Sequence, residues 1–173
     1  MIRRTARFTF FFRPEAPFSQ WYPARFELEG HVFSCAEQYM MYGKAVLFRD
    51  TEIAAQILEA VSPRQHKALG RKVQNFSEPD WKARREQIVA DGNRAKFTQN
   101  PELRQALLET AGTELVEASP FDRIWGIGLA ASDHRAEDPA QWRGQNLLGK
   151  ILTRLRDELL DPTTPSRCRP VGS

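Results

Sequence analysis

The sequence predicts a single α+β domain, mostly helical with a small β-sheet. Three observations point there. From Ser34 onward, helix-start signals recur and each is followed by apolar periodicity. Short aromatic or alternating segments near the N-terminus and around Glu114 read as strands. A length of 173 residues suits one compact domain with a real core.

The elements follow in order. Arg7 to Phe12 is aromatic-rich and reads as a strand. Phe18-Ser19-Gln20-Trp21-Tyr22-Pro23 is a loop with three aromatics, and Arg25 to Phe33 alternates around Glu29-Gly30 as a hairpin would. Ser34 is placed to cap a helix through about Val46, and Asp50 a second with Ile53, Ile57 and Leu58 inward. Ser62-Pro63 starts a third through about Lys72. Ser77-Glu78-Pro79 starts a fourth and longer helix, with Trp81, Arg85, Ile88 and Ala95 as its buried stripe and Gly92 weakening its middle. Asn100-Pro101 starts a fifth, with Leu103, Leu107 and Leu108 inward and Gly112 as its stop. Glu114 to Ser119 is a short strand, Pro120 to Arg143 a long irregular segment, and Asn146 to Leu160 a last amphipathic helix. The domain is expected over residues 1–160. Residues 161–173, rich in Pro, Thr, Ser and Arg, read as a disordered tail.

Composition narrows the function. With 41% hydrophobic and 27% charged residues the chain is an ordinary globular protein, and no apolar run is long enough to span a bilayer. Arg7 and Arg13 interrupt any signal-peptide core, and two cysteines make no disulfide framework, so a cytoplasmic protein without membrane contact is expected. A net charge of +3 suits an anionic ligand such as a phosphate but does not argue for non-specific nucleic-acid binding. His31, His66 and His134 are scattered without ligand spacing, so neither a metal nor another cofactor is expected.

The most informative stretch is Ser34 to Ala45. Glu37 and Lys44 are seven residues apart, which sets them within about 20° of each other on a helix, two turns apart. Met41 shares their face, and Tyr39 and Tyr42 lie on a neighbouring one. A carboxylate, an amine and aromatic surface are the materials of a pocket for a sugar and a flat ring. Each has a structural alternative. Ser34-x-x-Glu37 also matches a capping box, in which Glu37 would serve only the helix start. Most lysines are solvated, yet Tyr42, Gly43, Ala45 and Val46 make the Lys44 surroundings less polar than a typical exposed face. A lysine desolvated there would lose basicity and become a nucleophile.

Gly126-Ile127-Gly128-Leu129-Ala130-Ala131 has the letters of a dinucleotide fingerprint, but no alternating or apolar strand precedes it and no clear helix follows. A turn in which Gly126 and Gly128 let the backbone approach a ligand fits better. Trp125 beside it is the tryptophan expected to line a pocket. Asn146, in Gly144-Gln145-Asn146-Leu147-Leu148-Gly149, reads as an N-cap whose amide could also meet a ligand at a helix N-terminus.

Taken together, Phe18 to Pro23, Ser34 to Tyr39 with Lys44, Asn93-Arg94-Ala95-Lys96-Phe97, Trp125 to Gly128 and Gly144 to Gly149 resemble the NADAR (YbiA-like) N-glycosidases over about Phe10 to Arg156. The resemblance implies the YbiA-like α+β fold and hydrolysis of the bond between a ribose derivative and a base or amine. It implies phosphorylated ribosylamino-pyrimidine intermediates of riboflavin synthesis as small-molecule substrates, or ADP-ribosylated guanine in nucleic acid. A non-catalytic module that binds ADP-ribose or a nucleotide is the alternative of another class. The family's carboxylate and lysine fall on Glu37 and Lys44, its tryptophans on Trp81 and Trp125, and its asparagine on Asn146. Tyr39 and Trp125 would stack on the base. Some members carry Asp between the two glycines where this chain has Ile127, and Asp133 is a candidate replacement.

Overall fold

A computed structural model describes residues 2–161 and 163. The expected tail therefore lies almost wholly outside the described residues. Strand β1 (Ile2–Arg4) pairs antiparallel with β2 (Phe8–Phe11), and β2 pairs parallel with β5 (Glu114–Glu117). Strands β3 (Phe26–Leu28) and β4 (His31–Phe33) form the expected hairpin. Five helices fill the crossover from β2 to β5: α1 (Ala36–Leu47), α2 (Thr51–Glu59), α3 (Pro63–Gly70), α4 (Glu78–Gln99) and α5 (Pro101–Leu108). A parallel pair needs such a connection, because its strand ends lie at opposite edges. Helix α6 (Leu147–Leu160) closes the domain after an irregular segment with two 3₁₀ turns.

Every residue of β2 is buried, as expected of a central strand covered on both faces. Phe8 and Phe10 face one cluster with Val116, Ile127 and Leu129. Phe11 faces the main core, where Phe18, Met41, Phe97, Leu107, Leu115 and Leu152 meet. A third cluster joins Phe26 and Phe33 of the hairpin to Tyr39 and Ala95.

The start of α1 departs from the sequence reading. The N-cap is Cys35, not Ser34, and no side chain caps it. Gln38 takes that work: its Oε1 accepts from the Ser34 amide at 2.8 Å and from the Ser34 hydroxyl at 3.1 Å. The expected caps at Asp50, Ser62 and Ser77 are all made. Helix α4 buries Arg85, as its expected stripe has it, and also Asn93 and Lys96, which that stripe did not include, together with Val89 and Phe97. Gly92 allows a close approach, since a Cβ there would stand 2.6 Å from Tyr39 Cδ1.

Helix α6 rests directly on β5. A Cβ on Gly149 would come within 2.1 Å of the Leu115 carbonyl oxygen, a backbone atom with nowhere to go. Helix propensity alone favours alanine there by about 1 kcal/mol. The geometry predicts the opposite: Gly149→Ala destabilises the protein by roughly 1–3 kcal/mol through overpacking. Urea unfolding of the two proteins measures the sign.

Candidate active site

The loop after β2, helices α1, α3 and α4, and the loop after β5 enclose a cavity of about 570 Å³. Glu37, Met40, Met41 and Lys44 of α1 form one wall. Trp81 and Trp125 line it as well, with Gln20, Trp21, Lys67, Arg71, Glu117 and Asp122. The acid and the amine thus open onto the same space, as their seven-residue spacing requires.

Glu37 is 4% exposed. Its backbone amide donates to the Gln20 carbonyl at 2.9 Å, tying α1 to the aromatic loop. With Gln38 at the helix start, its carboxyl is free of any capping duty. Burial pushes that carboxyl up to about 7. The Lys67 charge pulls against burial, the Asp122 charge adds to it, and a hydrogen bond with the Trp21 side chain and the Arg71 charge pull it back. A carboxyl poised there can give a proton and take one back near neutral pH.

Lys44 sits at the other end of the same face. Its Nζ donates to the Gly70 carbonyl at 2.8 Å and lies 4.7 Å from the Phe76 ring centre and 5.8 Å from that of Trp81. Burial lowers its basicity, and the neighbouring Arg71 cation lowers it further. The Gly70 carbonyl can hold one N–H while a deprotonated Nζ keeps its lone pair free.

Two carboxylates absent from the sequence reading complete the polar wall. Asp122 is fixed by its own loop: its Oδ1 accepts from the amides of Ile124 at 2.8 Å and Trp125 at 2.7 Å. Glu117 ends β5, and its Oε2 is buried without a hydrogen-bond partner. Burial, with the Asp122 and Glu37 charges behind it and Lys67 against, pushes Glu117 up to about 8. Strand β5 reads Glu-Leu-Val-Glu, and nothing in that pattern sets Glu117 apart from Glu114. Among the described residues, no group of three or more His, Cys, Asp or Glu is arranged to hold a metal.

Five expected site residues lie elsewhere. Tyr39 follows Glu37 by two positions, about 200° around the helix. It packs on Phe33 at 5.1 Å in the third cluster and does not line the cavity. Gly126 and Gly128 do not line the cavity and shape the loop beside it. A Cβ on Gly126 would stand 2.9 Å from the Glu117 carbonyl oxygen, and Gly128 holds a positive φ of 68°. Asp133 is paired with Arg135 at 2.7 Å, which holds its carboxyl far below the usual range, and it too lies off the cavity. Ile127 is wholly buried against the Phe8 and Phe10 cluster. Asn146 is fully buried in a left-handed conformation and caps nothing with its side chain. Its Oδ1 accepts from the Glu117 amide at 3.0 Å and its Nδ2 donates to the Leu115 carbonyl at 3.1 Å. It positions β5, and through β5 the Glu117 carboxyl.

Lys96 and Asn93 act from behind the cavity. Lys96 Nζ donates to the Ser19 carbonyl at 2.8 Å, and Asn93 Nδ2 donates to Gln20 Oε1 at 2.8 Å. Full burial lowers Lys96 to about 7. Arg85, also buried, stands 5.9 Å over the Trp125 ring and supports it.

Known proteins are similar to this chain. The family model described as the NADAR domain matches residues 9–160. N-glycosidase R617 of Acanthamoeba polyphaga mimivirus is 47% identical over 146 residues, 82% of this chain and 86% of the relative. A riboflavin biosynthesis protein of Vibrio vulnificus is 31% identical over 141 residues, 82% of this chain but 35% of the relative. The solved NMR structure of Escherichia coli YbiA superposes with a TM-score of 0.76 at 25% identity, covering 97% of this chain and 94% of that one. This is an enzyme, a hydrolase acting on N-glycosyl bonds. The chain belongs to the NADAR domain family.

A buried acid leaves a mark on stability. The folded value of Glu37, about 7, lies above its ordinary 4.5, so folding favours the neutral form. The cost of the charge is absent below pH 4.5 and grows as pH rises to 7. Glu37→Gln is therefore expected to gain stability relative to the parent between pH 5 and pH 8.5, on the order of 2 kcal/mol. Paired urea unfolding at the two pH values tests this, and an equal difference at both would remove the desolvated acid.

Proposed function

We propose that the protein hydrolyses the N-glycosidic bond of a phosphorylated ribosylamino-pyrimidine, the class of intermediate found in riboflavin synthesis. The supporting observation is that a desolvated acid, Glu37, and a part-buried amine, Lys44, open onto one cavity. The Vibrio relative's name points to the riboflavin pathway. Lys67, Arg71 and Arg13 at the cavity suit a phosphate, and Trp81 and Trp125 suit a flat base.

In this mechanism the Lys44 lone pair forms a bond to the anomeric carbon as the bond to the base breaks. Glu37 gives its proton to the departing nitrogen. The glycosyl-lysine opens to an imine, water adds to the imine carbon, and the Glu37 carboxylate takes a proton from that water. Collapse of the adduct frees the sugar and restores the amine. We infer a cytoplasmic setting, which suits the free, buried Cys35 thiol.

A second substrate, ADP-ribosyl guanine in nucleic acid, is favoured by Phe121, which is 88% exposed at the cavity mouth and could stack on a neighbouring base. A module that only binds would need Glu37 spent on capping and Lys44 spent on a salt bridge. Here Gln38 serves the helix start, and Lys44 donates to a carbonyl.

Glu37→Gln is expected to lower kcat by roughly 10²–10⁴-fold. Lys44→Ala is expected to abolish turnover, and borohydride added during turnover should fix the substrate sugar on Lys44 of the parent protein. Normal turnover by Lys44→Ala, or no adduct while product forms, rules out the imine route. Offering a ribosylamino-pyrimidine phosphate and ADP-ribosylated guanosine side by side identifies the substrate.

A further inference from the structure

Lysines are almost never fully buried unless they are paired. Lys96 is 0% exposed and forms no ion pair among the described residues. Its Nζ donates to the Ser19 carbonyl at 2.8 Å and otherwise faces the rings of Phe97, 4.9 Å away, and Tyr22, 5.6 Å away. It does not line the cavity, so it meets no substrate. An apolar side chain would pack there at lower cost. What the amine adds is its grip on Ser19. Asn93, one turn earlier on α4, grips the next loop residue: its Nδ2 donates to Gln20 Oε1 at 2.8 Å and to the Val89 carbonyl at 2.8 Å. The Gln20 carbonyl in turn accepts from the Glu37 amide at 2.9 Å. Ser19, Gln20, Trp21 and Glu37 all line the cavity. Hydrogen bonds thus run from α4 through two consecutive loop residues to the first turn of α1. Attachment at two points holds the loop against rotation as well as displacement.

Resting on the reading of Glu37 as the acid of a glycosidase, we infer that Lys96 and Asn93 are positioning residues for the reaction, clamping Ser19 and Gln20 so that their loop keeps water from the Glu37 carboxyl. The clamp works through access and not through charge. The charges that bear on Glu37 are those of Lys67, Arg71, Asp122 and Glu117, all on the cavity wall, and Cys35 is the titratable group that bears on Lys96. Removing the clamp leaves every one of them in place. The sign then separates the two effects. Loss of a nearby cation disfavours a carboxylate and raises its midpoint, whereas a loosened loop hydrates the carboxylate and lowers it. A loss of global stability alone moves neither, because molecules that remain folded keep the same surroundings around Glu37.

Two variants of the full chain test the clamp. Lys96→Met keeps the length of the stem and removes the donor, and Asn93→Leu keeps the branched shape and removes the amide. Titration of the Glu37 carboxyl carbon by NMR, without ligand, is expected to give a midpoint below about 6 in each variant, against near 7 in the parent. With a ribosylamino-pyrimidine phosphate as substrate, each variant is expected to lose about 10- to 100-fold in kcat while KM stays within about threefold. The variants are read separately, so a folding failure of one leaves the other decisive. The titration needs no substrate, so it decides the clamp even where that compound is not turned over. A folded variant whose Glu37 still titrates near 7 or higher, or whose kcat is unchanged, overturns the clamp and leaves the glycosidase reading standing. A parent midpoint near the ordinary 4.5 overturns the clamp and the reading of Glu37 together.

Discussion

Desolvation of one carboxyl, that of Glu37, is the constraint on which the rest of the site depends. An exposed glutamate on a first helical turn is a few tenths of a kcal/mol of dipole stabilisation and no more. The same group 4% exposed is a weak acid that holds its proton near neutrality. Two features make that burial possible. Gln38 takes the helix-start work with Ser34, so Glu37 is not pulled outward to the N-cap. The Phe18 to Pro23 loop folds over it, tied by the Gln20 carbonyl in front and by Lys96 and Asn93 behind.

The opposite wall is built with the same economy of means. Strand β5 carries Glu117 to the cavity, and Asn146 fastens it there while starting α6. Gly144 and Gly149 are small for the same reason. A Cβ at Gly144 would meet the Gly126 carbonyl oxygen at 2.3 Å, and one at Gly149 would meet that of Leu115. Gly149 and Asn146 thus bring α6 onto β5, and Gly144 lies against the backbone of the Gly126 loop. The charge cost is real: Glu37, Glu117 and Lys44 all pay desolvation in the folded state. Function at such sites commonly opposes stability.

Much of the fold was legible because local signals and tertiary demands agree. Asp50, Ser62 and Ser77 cap the helices they were expected to cap, and β5 begins where the alternation changes. The α1 register also survived, since a seven-residue spacing fixes Glu37 and Lys44 to one face whatever packs against it. What failed was anything set by distant backbone. Asn146 resembles an N-cap in sequence, but its partners lie about thirty residues back in β5. Glu117 and Asp122 gave no pattern, because their approach to Glu37 is created by the parallel pairing of β2 and β5. Tyr39 was misread by proximity in sequence: two positions along a helix is nearly its opposite side.

The most direct measurement is a titration of the Glu37 side-chain carbonyl carbon by ¹³C NMR in the ligand-free protein, assigned with the glutamine variant. A desolvated Glu37 carboxyl is expected to titrate with a midpoint near 7. A midpoint in the ordinary glutamate range, near 4.5, would mean that water reaches the carboxyl freely and that Glu37 is an ordinary surface acid.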